Sequence, residues 1–161
     1  MDHSALEAGE RKKVGMVIPP PFLLMGLILV CVLAHTLWFG WAPLVPLRAL
    51  AGLALMVAAI ALIGSCGKVF RNAGTPVRPV SPTTTIVSAG AYRFSRNPMY
   101  VGMAGVLAGV AVFCGSYLFA AALLVFVAVV HFGVVLPEER YLEALHGAAY
   151  LEYKERVRRW L

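Results

Sequence analysis

Apolar stretches without a single charged residue recur along this chain, separated by short polar segments. Residues 20–39 and 49–67 contain no Asp, Glu, Lys or Arg, and the 41 residues 97–137 contain none either. A hydrocarbon core of about 30 Å requires about 20 helical residues, each rising about 1.5 Å. The first two stretches therefore predict one membrane crossing each, and the third is long enough for two.

A chain reversal is predicted within the third stretch at Cys114-Gly115-Ser116, because glycine and serine permit a tight turn. The first stretch is longer than the apolar run of about 7–15 residues in a signal peptide, so an uncleaved helix is expected there. Gly105 and Gly109, with Gly102 on the same face, favour close helix packing within the bundle over a dimer face. The prediction is an all-α membrane protein with about four transmembrane helices, over residues 20–39, 48–67, 98–114 and 117–136.

The composition supports this class. Hydrophobic residues make up 60% of the chain and charged residues 14%, and the mean hydropathy is +0.79. A typical soluble domain carries about 25% charged residues. His35 and His131 are the only ionisable residues of the acidic or basic types within the charge-free stretches. The absence of Asp, Glu, Lys and Arg there disfavours a transport function. Cys31, Cys66 and Cys114 lack the short spacing of a zinc or redox site, so no metal site is predicted.

The basic residues lie in alternate connecting segments. Of the 14 Lys and Arg, 13 fall in residues 1–19, 68–97 and 137–161, and only Arg48 falls between the first two spans. Because loops rich in Lys and Arg stay on the cytoplasmic side, both termini and the long loop are predicted to be cytoplasmic, with the cell inner membrane as the expected location. This distribution explains the net charge of +6 without a nucleic-acid partner.

Polar side chains of catalytic type concentrate in two segments, of which the first ends at Arg96-Asn97-Pro98. Asn suits a helix cap and Pro suits the first helical position, so the third span is predicted to begin here. A helix start carries free N–H groups and a partial positive charge, and Arg96 adds a full charge beside it. Together they favour an anion such as a carboxylate or a phosphate. The structural alternative is an arginine that only flanks a capped helix.

The second segment begins with Glu138-Glu139, directly after the fourth span. Two adjacent acids at a membrane exit favour a cationic partner, from the protein or from a ligand. A helix with one apolar face is predicted from there to Leu161, and Glu152 can pair with Arg156 four residues later. Its apolar face comprises Leu142, Leu145, Ala149, Tyr153, Val157 and Trp160.

These two segments carry a family resemblance. The run Gly90-x-Tyr92-x-x-x-Arg96-Asn97-Pro98-x-Tyr100-x-Gly102 resembles the signature of membrane methyltransferases related to isoprenylcysteine carboxyl methyltransferase, a group that includes phospholipid N-methyltransferases. Downstream, Glu138-Glu139, Gly147, Tyr150, Tyr153 and Arg156-Val157 are similar to its second signature. Phe70, Gly74-Thr75 and Pro79 to Pro82 are similar to the approach to the first signature in prokaryotic members. Asn97 stands where the eukaryotic enzymes carry His.

The resemblance implies an S-adenosylmethionine-dependent methyltransferase whose site lies at the cytoplasmic membrane surface. It places Tyr92, Arg96, Asn97, Pro98, Tyr100 and Gly102 on one wall of a cofactor pocket, with Glu138 and Glu139 opposite. Arg96 and the helix start suit the cofactor's carboxylate, and one of the two glutamates suits its ammonium. Which glutamate does so stays open at this point.

The resemblance also implies roles towards the methyl acceptor. Arg156 is expected near an acceptor carboxylate, as a catalytic and substrate-binding residue, with Tyr153 beside it. An amine acceptor must lose a proton, which would give Glu139 or a tyrosine the role of base. The partners implied are the lipid bilayer and a lipidic or prenylated acceptor.

The acceptor class is left open between the carboxylate of an isoprenoid-bearing molecule and another lipid or small amine. Two other classes are a non-catalytic membrane protein and a sterol-type reductase that uses NADPH. On the favoured reading, residues 1–19 form a tail, residues 20–67 two transmembrane helices and residues 68–161 the catalytic core. That core comprises the loop 68–97, the transmembrane hairpin 98–136 and a C-terminal amphipathic helix over 137–161.

Overall fold

A computed structural model describes residues 18–41, 45–72 and 88–161. Within these ranges the chain is helical, and an isolated bridge between Ser95 and Arg158 is the only β pairing. Most of the predicted N-terminal tail lies outside the described residues. So do Gly74-Thr75 and Pro79 to Pro82.

Five α-helices make up most of the described chain. Helix α1 spans Pro20–Ala34 and continues as a π-helical turn over His35–Phe39. The others are α2 (Pro46–Asn72), α3 (Pro98–Cys114), α4 (Tyr117–His146) and α5 (Ala148–Arg156), with a 3-10 turn over Gly90–Arg93 before α3 and a π-helical stretch over His131–Val135 inside α4. Proline opens α1, α2 and α3, where its missing N–H costs no intrahelical hydrogen bond.

Three of these helices are long and apolar enough to cross a membrane: α1 with its π-helical turn, α2 and α4. Helix α3 is apolar but shorter, and its 17 residues correspond to a length of about 26 Å. The predicted all-α membrane fold is confirmed. The predicted reversal also occurs, because Gly115 takes the left-handed conformation (φ 62°, ψ 42°) that ends α3.

Helices α2 and α3 approach closely through glycines. A Cβ on Gly109 would lie 2.5 Å from Cγ of Met56 and 2.9 Å from the carbonyl oxygen of Gly52. A Cβ on Gly105 would lie 3.0 Å from Cβ of Ala59. The glycines of α3 therefore serve packing within the bundle, as predicted. On the other face of α3, fully buried Leu107 belongs to a core that includes side chains of α4 and α1.

The predicted helix over 137–161 is wrong in its extent. Helix α4 continues through residue 137 to His146, and Gly147 (φ 53°, ψ −125°) breaks the helix in a conformation that side chains rarely permit. Helix α5 then ends at Arg156, and Val157 is extended. Residues 157–161, here called the C-terminal strap, leave the helix because their backbone pairs with the segment before α3: the Arg96 N–H donates to the Arg158 carbonyl oxygen at 2.9 Å.

Candidate functional site

The two sequence segments of catalytic type meet at one end of the bundle, where α3 begins. The Tyr153 hydroxyl, on α5, donates to the carbonyl oxygen of Tyr92 at 2.8 Å, and both residues are buried. The strap lies against residues 95–97. This end of the molecule, called the loop end below, therefore gathers the segment before α3, the acidic pair of α4, α5 and the strap.

Tyr92 forms the inner side of the 3-10 turn that precedes α3. Its ring contacts Phe70 of α2 edge to face, with centroids 5.4 Å apart. Burial raises the pKa of Tyr92 well above its usual value, and the neighbouring Cys66, Tyr100 and Glu138 raise it further. The phenol therefore stays protonated and can donate a hydrogen bond at neutral pH.

The start of α3 lies where the sequence predicts it, but the Asn97 side chain does not cap the helix. Its amide nitrogen donates to the carbonyl oxygen of Arg159 at 2.9 Å, so the Asn97 side chain is held by the strap. Pro98 and Tyr100 are buried at this helix start. Gly102 faces α2, since a Cβ there would lie 2.6 Å from Cγ1 of Ile63.

An ion cluster of Arg96, Glu139 and Arg159 occupies the loop end; the side chains of Arg96 and Glu139 are buried, and that of Arg159 is 37% exposed. Arg159 donates through Nε to Oε1 of Glu139 at 3.0 Å and through Nη2 to Oε2 at 2.9 Å, which is a two-bonded fork. Arg96 reaches Oε1 of the same carboxylate through Nη2 at 3.1 Å. The hydrogen bonds that Arg159 donates to Glu139 raise the pKa of its guanidinium. The predicted cationic partner of the acidic pair is thus supplied by the protein, for Glu139.

Arg96 keeps two donors that the described residues leave unused. Its side chain is 8% exposed, and its Nε and Nη1 are buried without a hydrogen-bond partner among the described residues. A buried donor without a partner costs about 1–3 kcal/mol, more for a charged group, so such atoms are rare in proteins that bind nothing there. The geometry suits an anionic ligand group such as a carboxylate.

Glu138 differs from its neighbour. Its side chain is partly buried, and it forms no hydrogen bond or ion pair with any described residue. Burial, and then the charge of Glu139, raise the pKa of Glu138 to about 7, so a cationic ligand group beside it would favour its ionised form. A carboxylate held beside tyrosines, with its oxygens unused, can accept hydrogen bonds from a cationic ligand group.

Arg156 lies outside this cluster. Its side chain is 69% exposed and pairs with Glu152 at 3.5 Å, the pairing that the four-residue spacing predicts. Tyr153 is turned inward instead, and burial raises its pKa to about 12, so it stays a donor to Tyr92. The structure therefore brings Tyr92, Arg96 and Asn97 together with both glutamates and Tyr153. Arg156 lies outside this group, and Gly102 packs against α2.

Sequence reasoning missed Arg159, because it assigned this residue to a continuing helix. Trp160 was assigned to an apolar helix face, whereas its indole N–H donates to Nδ1 of His131 on α4 at 3.3 Å. One available signal was the acid pair itself: a buried carboxylate requires a cation, and Arg159 is one of five basic residues that follow the pair. The helix break at Gly147 decides that Arg159 rather than Arg156 points inward. A single glycine predicts such a break only weakly.

The fold and the cluster define an integral membrane protein with a buried, charged site at one end of its helices. The family model of phospholipid methyltransferases matches residues 47–149, more than half of the chain. The chain therefore belongs to the phospholipid methyltransferase family and is a membrane methyltransferase. A comparison with curated proteins and one with solved structures find no match. The matched residues include the segment before α3 and both glutamates and end before the strap.

Proposed function

We propose that this protein transfers a methyl group from S-adenosylmethionine to a lipidic acceptor at the cytoplasmic face of the cell inner membrane. The observation that carries the cofactor assignment is the pair of unused, buried donors on Arg96. Both termini and the loop end would lie in the cytoplasm, because 13 of the 14 basic residues fall in the two terminal segments and the long loop. A water-soluble cofactor can then enter from the cytosol while a lipid acceptor arrives through the membrane.

The residues at the loop end fit the amino-acid part of this cofactor. Arg96 would bind its carboxylate through Nε or Nη1, since each of these donors is buried and has no other described partner. Glu138 would bind its ammonium, because both oxygens of Glu139 already accept hydrogen bonds from Arg159. This assigns the ammonium to one glutamate, which the sequence alone left open. Tyr92, Asn97, Pro98, Tyr100 and Gly102 would shape the pocket around the start of α3.

The chemistry follows from the groups present. When bound, the cofactor supplies a methyl group activated by a sulfonium: the acceptor's electron pair bonds to the methyl carbon, the carbon–sulfur bond breaks, and S-adenosylhomocysteine leaves. The protein's contribution is to hold the two reactants in line and to exclude water. Burial of the polar groups at the loop end suits both tasks.

The acceptor we favour is an ionised carboxylate on a lipidic molecule such as an isoprenylcysteine. With Glu138 engaged by the cofactor's ammonium and Glu139 by two arginines, neither carboxylate is free to take a proton. An ionised carboxylate reacts without losing one, whereas an ammonium must be deprotonated first. Arg156, at the exposed edge of α5, is the residue we propose for contact with the acceptor's carboxylate. Tyr153, turned inward on the same helix, would line the acceptor's path to the cofactor.

A second candidate is N-methylation of a phospholipid or small amine. The family description, phospholipid methyltransferase, favours it. In this case Glu138, Glu139 or a tyrosine at the loop end would have to accept the amine's proton.

Binding and transfer by the full-length chain in detergent test the proposal. The wild-type protein should bind S-adenosylmethionine, and Arg96→Ala should weaken binding at least tenfold, about 1.4 kcal/mol. Arg93→Ala is the matched control, because Arg93 is exposed on the same segment. A folded wild-type protein that binds neither S-adenosylmethionine nor its demethylated product would be non-catalytic, and binding of NADPH instead would identify a reductase.

Transfer of labelled methyl into total lipids and into a prenylcysteine analogue then separates the acceptor classes. Label that alkaline hydrolysis releases as methanol marks a methyl ester, and label that resists hydrolysis marks an amine product. A base-stable product alone would overturn the carboxylate assignment and leave the cofactor assignment intact.

A further inference from the structure

Both oxygens of Glu139 are engaged by arginines of the protein. Glu139 is 5% exposed, and its two oxygens accept three contacts, two from the Arg159 guanidinium and one from Nη2 of Arg96. Its charge is therefore neutralised inside the fold. A carboxylate in this state is poorly placed to bind a ligand directly, but it can fix the groups that do.

The position of Arg159 is set by the strap. The carbonyl oxygen of Arg159 accepts a bond from Nδ2 of Asn97 at 2.9 Å, and the Arg158 carbonyl accepts the Arg96 N–H at 2.9 Å. On the other side, the Trp160 indole donates to His131. Contacts on both sides of Arg159 thus hold its backbone, and its side chain, 37% exposed, reaches inward to the buried Glu139 carboxylate.

The fork decides how Arg96 is used. Because Arg159 occupies both oxygens of Glu139, Arg96 contacts that carboxylate through Nη2 alone and keeps Nε and Nη1 unused. Arginine and carboxylate prefer two parallel hydrogen bonds when both partners are free. Without Arg159, Glu139 could take Arg96 as a fork and use a donor that the cofactor's carboxylate requires.

We propose that Arg159 is a positioning residue of the cofactor site: it acts through Glu139 to present Arg96 to the carboxylate of the bound cofactor. The inference rests on the proposed function, since it assumes that S-adenosylmethionine binds at Arg96. It assigns a role to the strap, which lies beyond the residues matched by the family model.

The test compares S-adenosylmethionine with decarboxylated S-adenosylmethionine, which keeps the ammonium and the sulfonium but lacks the carboxylate. Arg159→Ala should raise the dissociation constant of S-adenosylmethionine about tenfold and leave that of the decarboxylated analogue unchanged. Arg158→Ala is the matched control, because the Arg158 side chain, next to Arg159 in sequence, is exposed and forms no ion pair with the described residues. Both dissociation constants should stay at their wild-type values in this variant. Equal weakening of both ligands by Arg159→Ala, or no weakening, would overturn the positioning role.

Arg159→Lys covers the case in which the alanine variant does not fold. Lysine keeps the charge on the strap but cannot form the two-bonded fork. The selective loss of S-adenosylmethionine affinity should persist in this variant, and wild-type affinity would contradict the proposal. If the wild-type protein binds neither ligand, the proposed function fails and this role with it. If the wild-type protein binds and the selective effect is absent, only the positioning role fails.

Discussion

Tyr153 and Tyr92 are 61 residues apart in sequence, and a hydrogen bond of 2.8 Å joins the hydroxyl of one to the carbonyl oxygen of the other. Both residues are buried, so the bond fixes α5 against the turn that precedes α3. Tyr153, Tyr150 and Val157 form a small core of their own with Leu142. The loop end is therefore a packed structure and not a set of loose loops.

Tyr153→Phe removes the hydroxyl and keeps the ring. We expect the free energy of unfolding to fall by about 1 kcal/mol, because a buried carbonyl loses its donor. Thermal or denaturant unfolding in one detergent measures this. Tyr117→Phe is the control, since Tyr117 is 93% exposed at the opposite end of the bundle. This variant should unfold like the wild type. Equal stability of the two variants would show that the bond contributes nothing.

Glu138→Gln tests the assignment of the cofactor's ammonium. The affinity for S-adenosylhomocysteine should fall about tenfold, because a charged acceptor becomes neutral. The affinity for deaminated S-adenosylhomocysteine, which lacks the ammonium, should not change. Since Glu138 has no described ion-pair partner, unfolding should be close to wild type. Loss of affinity for both ligands would mean that Glu138 shapes the pocket and does not bind the ammonium.

Glu139→Gln should behave differently from Glu138→Gln, because it removes the charge that pairs with the buried Arg96 and with Arg159. It leaves two arginines facing a neutral amide, and we expect a loss of stability of about 3 kcal/mol or more. The measurement is again unfolding in detergent. Glu143→Gln is the control, because it removes one charge from a partly exposed ion pair, that of Glu143 with Lys154. A Glu139→Gln variant as stable as this control would contradict the structural role of Glu139.

Arg156→Ala tests the proposed contact with the acceptor. Its guanidinium is exposed and paired only with Glu152 among the described residues, so the affinity for S-adenosylmethionine should be unchanged. The KM for a carboxylate acceptor should rise about tenfold if this residue binds the carboxylate. Arg140→Ala, another exposed arginine at the loop end, serves as the control. An unchanged KM would remove Arg156 from the acceptor site.

Gly109→Ala tests the close approach of α2 and α3. A Cβ there would lie 2.5 Å from Met56 and 2.9 Å from the Gly52 carbonyl, so the helices would have to separate. We expect a loss of about 1–3 kcal/mol in stability. Gly64→Ala is the matched control within a helix, because nothing lies within 4 Å of a Cβ there, and it should be neutral or slightly stabilising.

The membrane helices follow from the sequence because their cause is local. A charge is costly in hydrocarbon wherever it lies, so the charge-free stretch from 97 to 137 and the glycine at 115 predict a hairpin without knowledge of any neighbour. The start of α3 is local too, since Asn97-Pro98 marks it. The acidic pair and Arg96 were found by residue type and position, and the fold brings them into one cluster.

The partners inside that cluster were decided by the tertiary structure. Helical periodicity predicts which residues share a face only while the helix continues, and the break at Gly147 redirects every residue after it. Arg156 is therefore exposed, and Arg159, three residues later, reaches Glu139. The sequence determined that two acids at a membrane exit need cations. Only the packing of the strap against the start of α3 determined which cation neutralises Glu139, and so which glutamate is left with its oxygens unused.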